Sequence, residues 1–112
     1  MATKVMITAK LPKSVHQKML EKIIKDGYGM RGKSLWMHEA IERFLQLENY
    51  PEFVDIATEM DEMIAVVTAR ISRELIGKLD EAVIVVRREY LGMEGVKSSL
   101  IRASIIQRLI RG

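Results

Sequence analysis

The chain has 112 residues, a net charge of +3 and no cysteine, so disulfides, thiolate metal sites and cysteine nucleophiles are excluded. Nearly half of it is apolar, enough for a small core and too much for a disordered chain, and the eight methionines with only 5% aromatics predict an aliphatic, adaptable interior. No uncharged apolar run approaches membrane-spanning length and the N-terminus lacks a signal-peptide layout, so a soluble, cytoplasmic protein is expected.

The charge is unevenly placed. Residues 46–63 hold six carboxylates (Glu48, Glu52, Asp55, Glu59, Asp61, Glu62) and no lysine or arginine, leaving eighteen cations against nine carboxylates elsewhere. Two basic units joined by an acidic connector would attract a polyanion, and nucleic acid is the commonest one inside a cell.

Residues 1–4 are expected to form a short mobile arm. Met6-Ile7-Thr8-Ala9-Lys10-Leu11-Pro12 then alternates with period two, predicting a strand that turns Ile7, Ala9 and Leu11 inward and Met6, Thr8 and Lys10 outward. Pro12 cannot donate to a ladder and suits the entry to a helix. That helix should run from 13 to about 26 on Val15, Met19, Leu20, Ile23 and Ile24, and three glycines in 27–32 should break it. A second helix is predicted from about 33 to 48 on Trp36, Met37, Ala40, Ile41, Phe44 and Leu45. Asn49-Tyr50-Pro51 interrupts it. A short acidic amphipathic helix should follow between 52 and 64, apolar on Phe53, Ile56, Ala57, Met60, Met63 and Ile64, wet on Glu52, Asp55, Glu59 and Glu62.

The pattern then recurs. Val66-Val67-Thr68-Ala69-Arg70-Ile71-Ser72 echoes the first strand, and a longer helix over about 73–90 rests on Leu75, Leu79, Val83, Val86 and Tyr90 despite the strand-like Val83-Ile84-Val85-Val86 run. Gly92-Met93-Glu94-Gly95 repeats Gly29-Met30-Arg31-Gly32. The stretch opening Lys97-Ser98-Ser99-Leu100-Ile101-Arg102 matches Lys33-Ser34-Leu35-Trp36-Met37-His38. Internal duplication is the simplest account, with repeats at 1–48 and 65–112 around a connector at 49–64. One unit alone has a strand with two open edges and helices with exposed apolar faces. Pairing the two strands, within one chain or between two, supplies both a ribbon and a four-helix core; the connector is long enough for pairing within one chain, the favoured expectation.

This order of strand, Pro or Ser, amphipathic helix, glycine turn and Lys-Ser-opened helix resembles the ribbon-helix-helix (Arc/MetJ-type) superfamily of DNA-binding proteins, in a tandem single-chain form, over residues 5–48 and 65–111. The resemblance implies a mainly α fold with a two-stranded antiparallel β-ribbon, the two repeats forming one pseudo-symmetric unit, and a ribbon that enters the major groove of double-stranded DNA. The base contacts it implies are Met6, Thr8, Lys10, Val66, Thr68 and Arg70: Arg70 suits a guanine edge, Lys10 does so less rigidly, and the Thr methyls suit thymine. Phosphate contacts are implied at the helix starts, Lys33, Ser34, Lys97 and Ser98, with Lys4, Lys13 and Arg73 flanking the ribbon.

Each residue also has a plainer role: polar ribbon residues can simply face water, Ser34 and Ser98 can cap their helices, and surface lysines are ordinary. His16 and His38 lack a second ligand at metal spacing and read as boundary residues; Trp36 reads as core. No phosphate loop, carboxylate dyad or catalytic triad pattern occurs, so no enzymatic activity or cofactor is expected. A transcriptional regulator is the leading expectation, with self-association of chains on DNA as an open possibility. A plasmid-transfer accessory protein is the nearest alternative. The rival of another class is an antitoxin-like module whose acidic connector docks a basic partner; with Arg111-Gly112 following the last helix, only the connector could serve. Because the strands differ (Met6 against Val66, Lys10 against Arg70), a DNA site need not be a perfect palindrome.

Overall fold

The computed structural model describes residues 3–29, 31–58, 60 and 65–112. Its elements are β1 (Lys4–Leu11), α1 (Lys13–Lys25), α2 (Lys33–Leu45), α3 (Tyr50–Thr58), β2 (Ala65–Ser72), α4 (Arg73–Glu89) and α5 (Val96–Arg111). The fold is mainly helical with one two-stranded antiparallel sheet, and β1 and β2 of the same chain form it. Thr8 lies opposite Thr68 at its centre, Lys4 opposite Ser72 at one end and Leu11 opposite Ala65 at the other. The strands alternate as expected: Ile7, Ala9, Leu11, Val67, Ala69 and Ile71 are all at most 4% exposed and form the floor of the core. None of the described helices is long and apolar enough to cross a membrane.

Helix ends follow local chemistry. α1 closes with Gly27 in the left-handed region (φ +83°), its N–H donating to Ile24 and the Tyr28 N–H to Ile23. These are the two bonds of a Schellman stop, where glycine has no Cβ penalty. Gly32 opens α2, and any Cβ there would collide with the Tyr28 carbonyl. α4 is capped by Ser72, whose hydroxyl accepts the Leu75 N–H at 3.2 Å.

Several expected boundaries shift. Lys4, expected in a mobile arm, is already paired in β1; Met1 and Ala2 lie outside the described residues. α2 stops at Leu45, three residues early, because Phe44 draws the chain back onto itself: its ring meets Tyr50 at 5.9 Å and Phe53 at 6.4 Å. α3 accordingly starts at Tyr50 and ends at Thr58, whose hydroxyl donates to the Asp55 carbonyl. Its buried face is Pro51, Val54 and Ala57, rotated from the predicted stripe, so Ile56 points outward at 64% exposure. Met60 is non-helical, and the expectations on Glu59, Asp61, Glu62, Met63 and Ile64 fall outside the described residues. α4 ends at Glu89, one residue before Tyr90, and α5 begins at the buried Val96, one before Lys97.

α5 is the central helix, packed against all four other helices and β1 and buried on most of its circumference. It carries two arginines into the interior. Arg108 is 7% exposed; it donates to the Trp36 carbonyl at 2.7 Å and the Tyr28 hydroxyl at 2.8 Å, stacks over the Trp36 ring at 4.6 Å and faces Glu39 at 3.6 Å. Tyr28 in turn donates to Glu39, and Trp36 Nε1 donates to Asp26. The network ties the α1–α2 turn to the last helix.

Truncating Arg108 leaves a carbonyl, a hydroxyl and a carboxylate short of a partner, so Arg108→Ala should cost about 3–5 kcal/mol in urea unfolding. Asp26 is held below its ordinary pKa of 3.8 mainly by the Trp36 bond, opposed by desolvation and aided by Lys22 and Arg108. A lowered folded pKa gives stability that is complete above the ordinary value and is lost as pH falls through the folded one. Unfolding followed by Trp36 fluorescence should therefore show wild type weakening on acidification below about pH 3.8, and Asp26→Asn weakening less.

Candidate functional site

The outer face of the β1–β2 ribbon carries three cross-strand pairs: Met6 with Arg70, Thr8 with Thr68, and Lys10 with Val66. All six side chains are exposed, Met6 by 62% and Val66 by 56%. These are the six residues expected to face outward. On the central pair two hydroxyls meet, and on each flanking pair a cation stands beside an apolar side chain. Opposed side chains of a ribbon lie about 5 Å apart, so the face is a small grid of donors and methyl groups.

The edges of the ribbon are covered by helix starts. The Arg70 N–H donates to Ser34 Oγ at 3.0 Å and the Lys10 N–H to Ser98 Oγ at 3.3 Å. These bonds correct the capping role for the two serines: α2 and α5 open on Gly32 and Gly95, and neither helix has a side-chain cap. The serines hold the strands instead, because an open strand edge leaves N–H groups that need acceptors. A hydroxyl that accepts in this way keeps its own hydrogen to donate. The first-turn N–H groups of both helices remain uncapped beside the ribbon, where the helix dipole favours an anion.

The two ends differ. The Lys10 carbonyl also accepts from Arg102 Nε at 2.9 Å, and Arg102 Nη1 reaches the Ala57 carbonyl at 2.8 Å and Ser99 Oγ at 3.2 Å. Burial pushes Arg102 below the ordinary arginine value, with its guanidinium still charged. The sequence match sets His38 against Arg102, and His38 faces Glu42 at 3.3 Å instead. It lines an open cleft with Lys4, Ser34, Leu35, Arg70 and Ser72. Among the cations, Lys97 lies 3.5 Å from Asp80, an exposed and weak pair. Lys4, Lys10, Lys13, Lys33, Arg70 and Arg73 have no ion-pair partner among the described residues. Lys4, Lys13 and Arg73 are exposed near the strand ends, and Lys33 is half-buried.

His16 and His38 are both half-buried, Trp36 is fully buried, and no group of three metal-ligating side chains occurs among the described residues. Arg102 and Arg108 were not anticipated from the sequence. The available signal was an arginine inside the Leu100–Ala103 apolar run, where a solvated cation does not belong. Comparison with protein-family models, with curated proteins and with solved structures gives no match.

Replacing either serine by alanine should cost about 0.5–1.5 kcal/mol, the net value of one hydrogen bond. The sharper readout is amide exchange: Ser34→Ala should speed exchange at Arg70 only, and Ser98→Ala at Lys10 only. Unchanged protection in both would mean that other groups satisfy these edges.

Proposed function

We propose that the chain is a sequence-specific double-stranded DNA-binding protein of tandem ribbon-helix-helix type, acting as a transcriptional regulator. In this reading the two repeats are related by a pseudo-two-fold axis through the Thr8–Thr68 pair, and the ribbon's outer face lies in the major groove. The observation that carries it is the joint placement of a wet Thr-and-cation ribbon face and two uncapped helix starts bonded to its opposite edges. A ribbon fits the groove, and four residues of strand cover about 14 Å, the length of about four base-pair steps. Arg70, Lys10, Thr8 and Thr68 would contact base edges, and Met6 and Val66 would make apolar contact. Lys33, Ser34, Lys97 and Ser98 would hold phosphates at the helix starts, with Lys4, Lys13 and Arg73 further along the backbone.

An accessory role in plasmid transfer would use the same interface and differs only in what DNA binding leads to. The acidic-connector rival has less support, since the buried side of α3 is already packed against α5.

Selection from a random duplex pool at two salt concentrations tests the proposal. Wild type should enrich one motif. Thr68→Ala/Arg70→Ala should lose the motif, at about 1–3 kcal/mol per lost base contact, while keeping salt-sensitive binding. Enrichment of the same motif by both proteins would remove the ribbon from the role of reader.

A further inference from the structure

The two ends of the ribbon are chemically unequal, and the inequality has a direction. We infer that the duplex site is read with unequal stringency: its half beneath Arg70 strictly, as guanine, and its half beneath Lys10 loosely. This rests on the DNA-reading proposal above and goes beyond it by assigning each half-site a chemistry.

Three observations point the same way. The first is the pair of cations at equivalent places. Arg70 presents a planar fork whose two N–H groups match guanine O6 and N7 together, while the Lys10 ammonium is a rotatable point charge that accepts several arrangements of base acceptors. The second is their apolar neighbours. Met6, opposite Arg70, is long and unbranched and can lie along the guanidinium stem, whereas Val66, opposite Lys10, is short and leaves the ammonium free to move.

The third is the phosphate-binding equipment on each side. At the Arg70 end Lys4 and Ser72 form the terminal strand pair, Arg73 follows at once, and Ser34 of α2 holds the Arg70 N–H with Lys33 beside it. None of Lys4, Lys33, Arg70 or Arg73 has an acidic partner among the described residues. At the Lys10 end Lys13 follows the strand as Arg73 does and is equally unpaired among the described residues, but Lys97 of the helix start faces Asp80 and no cation matches Lys4, whose place beside Ser72 is taken by the Leu11–Ala65 pair. A backbone seated firmly at one end fixes the distance from strand to base there, and a short fork-shaped contact needs that fixed distance. A looser seat suits a side chain that adapts.

The experiment compares three full-length proteins: wild type, Arg70→Lys and Lys10→Arg, the two variants each altered at one exposed position. Starting from the motif selected by wild type, each base pair of the duplex is replaced in turn and binding is followed by fluorescence anisotropy. Polarity is assigned independently: the chain has no cysteine, so Thr3→Cys, at the Arg70 end, carries an iron–EDTA group whose cleavage marks the DNA beneath that end. Single substitutions beneath Arg70 should weaken wild-type binding about 10- to 100-fold, and those beneath Lys10 by roughly fivefold or less. Arg70→Lys should flatten the strict half, and Lys10→Arg should sharpen the loose one toward a guanine. Equal losses in both halves, or cleavage that places the strict half beneath Lys10, would overturn the inference while leaving DNA reading intact. If wild type selects no motif, the DNA-reading proposal fails and this inference fails with it.

Discussion

A two-stranded ribbon has no interior strand, so each of its outer edges must find hydrogen-bond partners elsewhere. In this molecule that constraint organises the helices. The amide of Lys10 and the amide of Arg70 point away from the partner strand, and each is met by a serine hydroxyl from the first turn of a helix, Ser98 of α5 and Ser34 of α2. To deliver those hydroxyls the two helix starts must sit against opposite edges. Gly32 and Gly95 make that possible, since the chain turns into each helix directly beside the ribbon. The inward faces of the strands then close on Met19, Trp36, Ile41, Leu79, Leu100 and Ile105, all fully buried. Burial on this scale dominates the stability of a domain this small, and the serine bonds decide where the buried faces meet.

The interior is not wholly apolar, and its polar members bring together segments distant in sequence. Arg102 joins β1 to the end of α3, and Arg108 joins α2 and the turn before it to the far end of α5. A buried guanidinium is costly without partners and specific with them. Arg102 places three donor contacts on two carbonyls and a hydroxyl. Arg108 leaves its Nε without a partner among the described residues, so its place depends on two rings and a carboxylate as well as on its hydrogen bonds.

How much of this was legible depended on the range of the interaction involved. The facing of the strands was readable because period-two alternation is a local property, and Ile7, Ala9, Leu11, Val67, Ala69 and Ile71 all turn inward, although β1 starts one residue earlier than expected, at Lys4. The outward set of the candidate site followed for the same reason. The connector was misread because its face is chosen by tertiary contact: Phe44 gathers Tyr50 and Phe53 and so turns α3, burying Val54 in place of Ile56. The serines could be seen at the starts of their helices, yet their acceptor role depends on strands 36 and 88 residues away. The two arginines belong to the same class. A cation in an apolar run signals an interior partner without saying which carbonyl it will meet.

The bond between Arg102 and the Lys10 carbonyl spans 92 residues, and that between Arg108 and Trp36 spans 72. During synthesis β1 therefore leaves the ribosome well before the elements it packs against, β2, α4 and α5. β1 has no partner strand until β2 has followed, and no cover for its edge until the start of α5 has emerged. With elongation at roughly 5–20 residues per second, that interval lasts several seconds, long beside the microseconds in which a helix or hairpin forms. β1 spends it unpaired, while α1, α2 and the start of α3 can already meet one another through Trp36–Asp26, Tyr28–Glu39 and Phe44–Tyr50. Closure of the ribbon thus waits for α5, and a chain interrupted before it would lose both its central packing surface and the cover of its first strand.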